Sequence, residues 1–577
     1  MRFWYNPNFI AIFFLLFFSI FALKSLTKPG FYTSHDGETH TARIAQYYQA
    51  LKDGQFPPRW AKTLSSGLGS PIFVYIYPLP YLAGALIHML GANFVNSFKI
   101  LMALSFIASG LFAYLWLLEV FKSPKSAFLG ALTYTWVPYR FALIYVRASI
   151  SESFAYTFLP FLLLSLTKLA KKTNLKWTAL SALSLALLML SQNLVAYMAI
   201  PLICAYVLIL AIWQKSAKYL IYVFISAIWA FGISAVTYLP ALFERNYIHF
   251  DQLFKDVYNA HFVTLTQLVH SPWGYGFDLP GTVNDQISFQ IGLAHILIIF
   301  ISLFVLFIAI AARFSMVKFL QDNFFEKPKS QEKILAIFFL LVIALSILLM
   351  LETRQTHLFW KNFKLLQIID IPWRLLGIIA LSTSFLASFA AKNIRSGLVF
   401  LFLVSAILIA NRHHLNINEA KFYDDEFFLN YRGSATQFNE FTPKSRSSVG
   451  VTDQFPQRIE VVRGDAKISD INQKSNALTF KTESTQVSRL LVNVATFPGW
   501  QVFADNKKFE SVDDPILFRE LYRPDRDNTG LFYFIVPTGN HTFNLKFTET
   551  KLRYFADLLS LASFTAVILA LAKLKKS

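Results

Sequence analysis

Phe9-Ile10-Ala11-Ile12-Phe13-Phe14-Leu15-Leu16-Phe17-Phe18-Ser19-Ile20-Phe21-Ala22-Leu23 is an unbroken apolar run, and soon after it the chain reads Ser34-His35-Asp36-Gly37-Glu38-Thr39-His40. A run over residues 8–26 is long enough, as helix, to cross the hydrocarbon core of a bilayer. The following Ala22-Leu23-Lys24-Ser25-Leu26 is a poor signal cleavage site, which points to a retained span. Two carboxylates and two imidazoles just outside that span suit the handling of protons, a metal or a charged head group. A loop that only joined two helices would not need them.

Working outward, the same apolar texture recurs. Hydrophobic residues fill 55% of 577 positions and only 15% are charged, which excludes a soluble enzyme. Further runs fall at 98–121, 127–145, 153–169, 177–192, 194–213, 219–241, 290–313, 333–351, 374–391, 397–411 and 555–572. Within a bilayer only closed backbone hydrogen bonding survives, so these runs predict a helical bundle of about 12–13 spans. The net charge of +19 is not a nucleic-acid signature. It concentrates in short loops between spans: Lys122 and Lys125; Lys168, Lys171, Lys172 and Lys176; Lys215 and Lys218; Lys327, Lys329 and Lys333; Lys392 and Arg395; Lys573, Lys575 and Lys576. This is the positive-inside pattern, and it assigns those loops to the cytoplasm of a multi-pass cell-membrane protein. The lone Cys204, within an apolar run, excludes a disulfide framework.

Residues 71–91 are apolar but carry Pro71, Pro78 and Pro80 among Tyr75, Tyr77 and Tyr81. Prolines remove helix donors and tyrosines favour the interface, so this stretch reads as a segment that dips into the membrane or lies on it. The non-cytoplasmic side then receives 27–97, 146–152, 242–289, 352–373 and 412–554. Residues 412–554 differ in kind. Arg458-Ile459-Glu460-Val461-Val462, Leu490-Leu491-Val492-Asn493-Val494 and Thr542-Phe543-Asn544-Leu545-Lys546-Phe547 alternate with the two-residue period of strands, separated by turn signals such as Asp505-Asn506. The expected organisation is a transmembrane domain 1–411, an extracytoplasmic β-sandwich domain 412–554, and a final span with a basic tail, 555–577. Gly67 and Gly69 are too sparse for a phosphate-cradling loop and read as a flexible turn.

Three constellations on the outer side carry chemistry. Residues 38–52 predict an amphipathic helix along the membrane surface, with Ile44, Tyr47, Tyr48 and Leu51 on one face and Glu38, Arg43, Gln46 and Lys52 on others. Asp36 and His40 are four apart and can share a face, and either could act as general base for a hydroxyl. Asp36 equally suits the N-cap of this helix, and the two roles are compatible. His35, Asp36, Glu38 and His40 could also hold a divalent metal, although this spacing at a helix start is a weak ligand pattern. The second constellation is Arg140, Arg147 and Glu152, where Arg147 and Glu152 flank a very short outer loop. Ionisable groups there are expensive unless paired or used, so both a phosphate-binding Arg147 and a plain Arg147–Glu152 ion pair fit. Arg140 at a span end could simply snorkel. The third is Ile371-Pro372-Trp373-Arg374, where Arg374 is another candidate phosphate ligand, and Arg59 in Pro57-Pro58-Arg59-Trp60 is similar.

These residues resemble a bacterial group of polytopic proteins labelled 6-pyruvoyl-tetrahydropterin synthase-related membrane proteins. The matching pieces are His35-Asp36-Gly37-Glu38-Thr39-His40, Gln55-Phe56-Pro57-Pro58-Arg59-Trp60, Gly69-Ser70-Pro71-Ile72-Phe73 through Tyr77-Pro78-Leu79-Pro80-Tyr81, Arg147-Ala148 with Glu152, and Pro372-Trp373-Arg374. That group is similar to the GT-C superfamily of membrane glycosyltransferases, which take sugar from a polyprenyl-phosphate carrier. The resemblance implies Asp36 as base and Glu152 as the second-loop acid, where many relatives have Asp. It also implies a lipid-phosphate sugar donor and a glycan, lipid or protein acceptor outside the cytoplasm, while the charge distribution described above argues against a nucleic-acid partner. Two rival readings remain at this point: a flippase of lipid-linked saccharide, and a non-catalytic scaffold for the β domain, which would leave Asp36, Arg147 and Glu152 far apart.

Overall fold

The structure is a computed structural model that describes residues 6–572 except 254–255, 280–284, 312–313, 435, 437–438, 447–456 and 509–529. Lys573, Lys575 and Lys576 therefore lie outside the described residues.

Each expected span but the one over 127–145 is met by a continuous helix over most of its length. Among the described residues nine helices are long and apolar enough to cross a membrane: Phe94–Phe121, Ile150–Lys171, Asn193–Gln214, Ala217–Phe243, Leu293–Ala311, Ser330–Met350, Pro372–Asn393, Gly397–His414 and Lys551–Ala572. Pro7–Ala22 and Leu175–Ser191 are shorter apolar helices. Short polar side chains open several of them. Asn93, Ser123, Asn174, Ser216 and Ser396 each accept a hydrogen bond from a backbone N–H in the first turn, which satisfies a donor the helix cannot.

The stretch expected as one span over 127–145 is broken. It runs as a helix Pro124–Thr135, a single turn Pro138–Phe141 and a π turn Ala142–Val146. Pro138 supplies no N–H and cannot continue a helix across the break. The five-residue π turn then rotates the chain so that Arg147 N–H donates to Ala142 O, 2.8 Å away. The 71–91 stretch is likewise divided, into Ile72–Tyr75 and Leu79–Met89. Eleven residues of helix span only about 16 Å, half the hydrocarbon thickness.

Two antiparallel sheets follow the last bundle helices, one of order β4-β5-β10-β7-β8 and one of order β3-β6-β9. Their strands are β3 (Ile459–Arg463), β4 (Lys467–Gln473), β5 (Ala477–Ser484), β6 (Ser488–Ala495), β7 (Trp500–Ala504), β8 (Lys507–Lys508), β9 (Leu531–Val536) and β10 (Gly539–Phe547). Inward residues alternate along β5 and β10, and rings meet between the sheets: Phe534 with Phe543 at 5.4 Å and Trp500 with Phe532 at 6.1 Å. Asp505 and Asn506 turn the chain between β7 and β8 with positive φ, a conformation Asp and Asn tolerate.

Residues 416–434 lie outside these sheets. They run back along the segment after the first span, where β1 (Phe31–Tyr32) pairs antiparallel with β2 (Ala420–Lys421). Tyr423, Leu429 and Tyr431 then bond Glu38, Gln46 and Thr63. This covering explains a departure from expectation. Helix Gly37–Lys52 forms as predicted, but it is enclosed rather than laid on a surface, and Arg43 and Gln46 are buried beside Ile44 and Tyr47.

The turn at Gly67–Gly69 is packed and not flexible. Ala61 and Ser70 exchange backbone hydrogen bonds of 2.9 Å across it. At Gly69, φ +85°, a Cβ would meet the Trp60 indole at 2.5 Å, so only glycine fits. Trp60 in turn seats on Trp500 and Phe547 of the sheets, 5.4 and 5.3 Å between ring centres, and Ala495 N–H donates to Leu68 O. The β sheets thus dock on residues 55–70.

Candidate active site

Three helix ends and the π turn build the site. The backbone N–H groups of His35 and Asp36 donate to Val146 O and Arg147 O, each at 3.0 Å, which ties the first outer segment to the second outer loop. Ala148 takes a positive φ of 51°, an unusual state for alanine that turns the chain tightly between Arg147 and the helix starting at Ile150. Arg147 and Glu152 therefore face each other.

Arg147 Nη2 lies 2.8 Å from Glu152 Oε1, and both side chains are almost wholly buried. Arg374 Nε is 3.4 Å from the same carboxylate and its Nη1 is 3.0 Å from Asp370. Tyr139 donates to Glu152 Oε2 at 2.9 Å. The Arg147 guanidinium stands over Trp373, 5.1 Å from the ring centre, and Trp373 Nε1–H donates to Asp278 at 2.9 Å. His261 Nδ1 lies 2.5 Å from the other face of that contact, on Asp278 Oδ2. Burial alone would lift Asp278, but the contacts from His261 and Trp373 outweigh it and hold the carboxyl down at about 2. Burial also opposes charge on Arg147, yet Glu152 outweighs it and keeps the guanidinium more basic than usual.

Asp36 stands at the N-cap position, but its side chain makes no capping hydrogen bond. Among the described residues its carboxylate has neither a hydrogen-bond nor an ion-pair partner, and the nearby charge it feels is Arg147. Arg147 Nη1 is buried and likewise unpartnered among the described residues. An acceptor and a donor, each without a partner among the described residues, thus lie on bonded segments within electrostatic reach of each other.

The other predicted residues separate. His35 Nε2–H donates to Gly276 O at 2.9 Å, which fixes its tautomer, and its ring stacks on Phe277 at 4.2 Å. Burial, then Arg147, lowers its basicity. Glu38 accepts from Tyr423 at 2.8 Å. His40 and Arg43 both bond the Tyr81 hydroxyl at 3.0 Å. Burial, then the charges of Arg43 and Arg147, drives His40 well below the usual imidazole range, so it is a neutral packed ring. These four side chains diverge to separate partners and do not form a ligand set. Among the described residues no group of three or more His, Cys, Asp or Glu could hold a metal ion.

Arg59 is placed elsewhere. Its three nitrogens bond Glu549 (3.2 Å), Val236 O (2.8 Å) and Asp557 (2.5 Å), which joins it to the last helix rather than to Arg147. Arg140 does not snorkel. It is buried among Phe106, Tyr134 and Tyr156, 5.8–5.9 Å above their rings, with Nη2 on Ser109. Sequence reasoning missed Asp278, His261 and Asp370. Only Asp370 left a signal, its four-residue spacing to Arg374 on a helix start.

Together these elements define a polytopic helical membrane protein with a β domain, carrying a buried cluster of arginines and carboxylates at one end of its bundle. Asp36, Arg147 and Glu152 are adjacent, where a mere scaffold would have left them apart. No family model matches the chain, so the resemblance to the 6-pyruvoyl-tetrahydropterin synthase-related group rests on the quoted segments alone. The chain is similar to an uncharacterised protein of Lactococcus lactis subsp. cremoris, 26% identical over 246 residues, which make up 41% of this chain and 40% of that protein. It spans well under two thirds of that relative. Among solved structures it is similar to the mycobacterial arabinofuranosyltransferase AftD, at TM-score 0.39 and 16% identity, covering 70% of this chain and 27% of that one. A point mutant of AftD gives TM-score 0.41 and 14% identity, with 70% and 28% coverage.

Proposed function

We propose that this protein is a membrane glycosyltransferase of GT-C type, taking a sugar from a polyprenyl-phosphate donor to an extracytoplasmic acceptor hydroxyl. The observation that supports the reading is that the Asp36 carboxylate and the Nη1 of Arg147 are both uncommitted among the described residues, on segments held by a 3.0 Å backbone hydrogen bond. A hydroxyl acceptor needs a base that is not already spent on a cap or an ion pair. A departing phosphate needs fixed donors outside water, and a buried guanidinium with a spare N–H supplies one.

In this mechanism Asp36 takes the proton of the acceptor hydroxyl as its oxygen attacks the anomeric carbon. The bond from that carbon to the phosphate oxygen breaks on the opposite face, the polyprenyl phosphate leaves with the electron pair, and configuration inverts. Arg147, with Arg374 behind it, meets the charge that grows on the phosphate. Glu152 accepts from Tyr139 and pairs with both arginines, so it positions them and is not available as an acid. Trp373 and Phe277 wall the site with rings suited to a sugar face. His40 and Arg43 support helix Gly37–Lys52 from below, and Arg59 anchors the β domain, which could present the acceptor. The lysine-rich loops at the far end of the 22-residue helix Ile150–Lys171, about 30 Å from Glu152, would face the cytoplasm.

The test supplies purified protein with radiolabelled polyprenyl-phosphate sugars and compares it with Asp36→Asn. A loss of about 10²–10⁴-fold in transfer, with an unchanged unfolding temperature, is expected. Equal transfer by both proteins would remove Asp36 from the chemistry.

A further inference from the structure

At the opposite end of the bundle lies a cavity of about 440 Å³ lined by Ala309, Ile310, Lys318, Gln321, Asp322, Phe325, Lys327 and Arg395. Its walls are built, not accidental. Arg395 N–H donates to Phe324 O and Glu326 N–H to Asn393 O, so the segment after helix Ser315–Phe324 is stitched to the end of helix Leu376–Asn393. Arg395 Nη1 also donates to Asp322 O at 2.6 Å, which fixes its guanidinium on the rim. Among the described residues none of Lys318, Lys327 and Arg395 makes an ion pair. The Asp322 carboxylate is the one acidic group on the lining, so the cavity keeps a cationic excess.

A second observation comes from the floor. Gln321 is 8% exposed, lines the cavity, and its Nε2 is buried without a hydrogen-bond partner among the described residues. A buried amide donor left unmade costs free energy, and an oxygen-rich ligand would relieve it. The helix that carries Lys318, Gln321 and Asp322 also presents Met316, Phe319 and Phe324 as large exposed apolar side chains, with Phe314 exposed just before it. Such a helix, apolar toward acyl chains and basic beside them, lies in the plane of a membrane surface.

We propose that this cavity binds a phosphate group, carried by the headgroup of an anionic phospholipid, between Lys318, Lys327, Arg395 and the Gln321 amide. The phosphate oxygens take the Gln321 N–H and the free donors of the cations, while the acyl chains run over Phe319 and Phe324. Basic pockets beside spans on the anionic, cytoplasmic leaflet recognise headgroups in this way.

The experiment places the full chain in nanodiscs of phosphatidylcholine with a minority of phosphatidylglycerol and measures retained lipid by native mass spectrometry. Its partner is the double variant Lys318→Gln/Lys327→Gln, at two exposed positions, which should unfold at the parent's temperature in phosphatidylcholine alone. The parent should retain phosphatidylglycerol about tenfold more tightly than the double variant. Gln321→Leu, which keeps every charge, should weaken retention about threefold. Inorganic phosphate forms a separate arm: competition only at tens of millimolar assigns the phosphate to the lipid, and competition at micromolar levels assigns it to a free phosphate ester in the same site. Equal retention of phosphatidylglycerol by parent and double variant, or equal retention of the two lipids by the parent, overturns the proposal.

Discussion

Two buried ionic clusters can be set side by side. One gathers Arg147, Arg374, Glu152 and Asp370 beside Asp36, and the other gathers Arg59, Arg553, Glu244, Glu549 and Asp557. Both join segments far apart in the chain. In the second, every nitrogen of Arg59 is bonded, and Arg553 divides itself between Glu244 (2.7 Å), Pro498 O (3.0 Å) and the rings of Phe497 and Phe547, with its buried Nη1 alone left over among the described residues. That cluster is a joint: it locks the last helix and the β sheets to the bundle. In the first, one carboxylate serves two guanidiniums, one Nη1 donor is left over, and Asp36, bonded to Arg147 through the backbone, stands uncommitted among the described residues. A spare arginine donor is common to both clusters, so the difference lies in the carboxylates: Glu244, Glu549 and Asp557 are each taken by a guanidinium, whereas Asp36 has no ion-pair partner among the described residues.

The sharpest way to break that contrast is Glu152→Gln. It leaves two buried guanidiniums without their shared anion, so stability should drop by about 3–5 kcal/mol in denaturant unfolding and donor affinity should fall as well. Arg553→Met should cost a similar amount or slightly less, since it strands Glu244, yet transfer per folded molecule should stay at the parent level. If it lowered transfer as Glu152→Gln does, the joint and the site would be one unit and the contrast would fail. Gly69→Ala tests the joint from the loop side. A Cβ driven into Trp60 at positive φ should cost more than about 1 kcal/mol, read as lower resistance to proteolysis between residues 55 and 70.

The smallest effect is one of pH. His40 titrates below 6.5 when folded, so the unfolded chain binds the proton first. Stability is full above pH 6.5 and declines as pH falls below it. Asp278, depressed from 3.8 to about 2, adds stability that is full above 3.8 and lost as pH falls towards 2. Thermal unfolding should therefore show two acid steps. His40→Gln should reduce the upper one, to which His35 also contributes, and Asp278→Asn the lower.

How much of this the sequence discloses follows from the range of the forces involved. Spans are legible because each apolar run is a local property, and so is the β alternation after residue 458. Arg147 with Glu152 is legible because a separation of only five positions across a tight outer turn leaves the two nowhere else to go. The break after Thr135 carries a local mark in Pro138, but the apolar run on both sides of it reads as one span. Arg59 misleads for the opposite reason: it sits in an outer segment like a ligand, while its carboxylate partner Glu549 lies 490 positions later. Asp278 and His261 carry no local mark at all. Only the fold brings their loop onto Trp373.

The pairing of β1 with β2 has a consequence for how the molecule is made. Thr33 reaches Glu419 across 386 positions of chain, so the cover over helix Gly37–Lys52 cannot close until about three quarters of the polypeptide has left the ribosome. Until then the acidic and cationic groups of the first two outer loops are assembled but unroofed. A nascent or truncated chain would therefore leave Asp36, Arg147 and Glu152 without the cover that encloses helix Gly37–Lys52 in the finished fold.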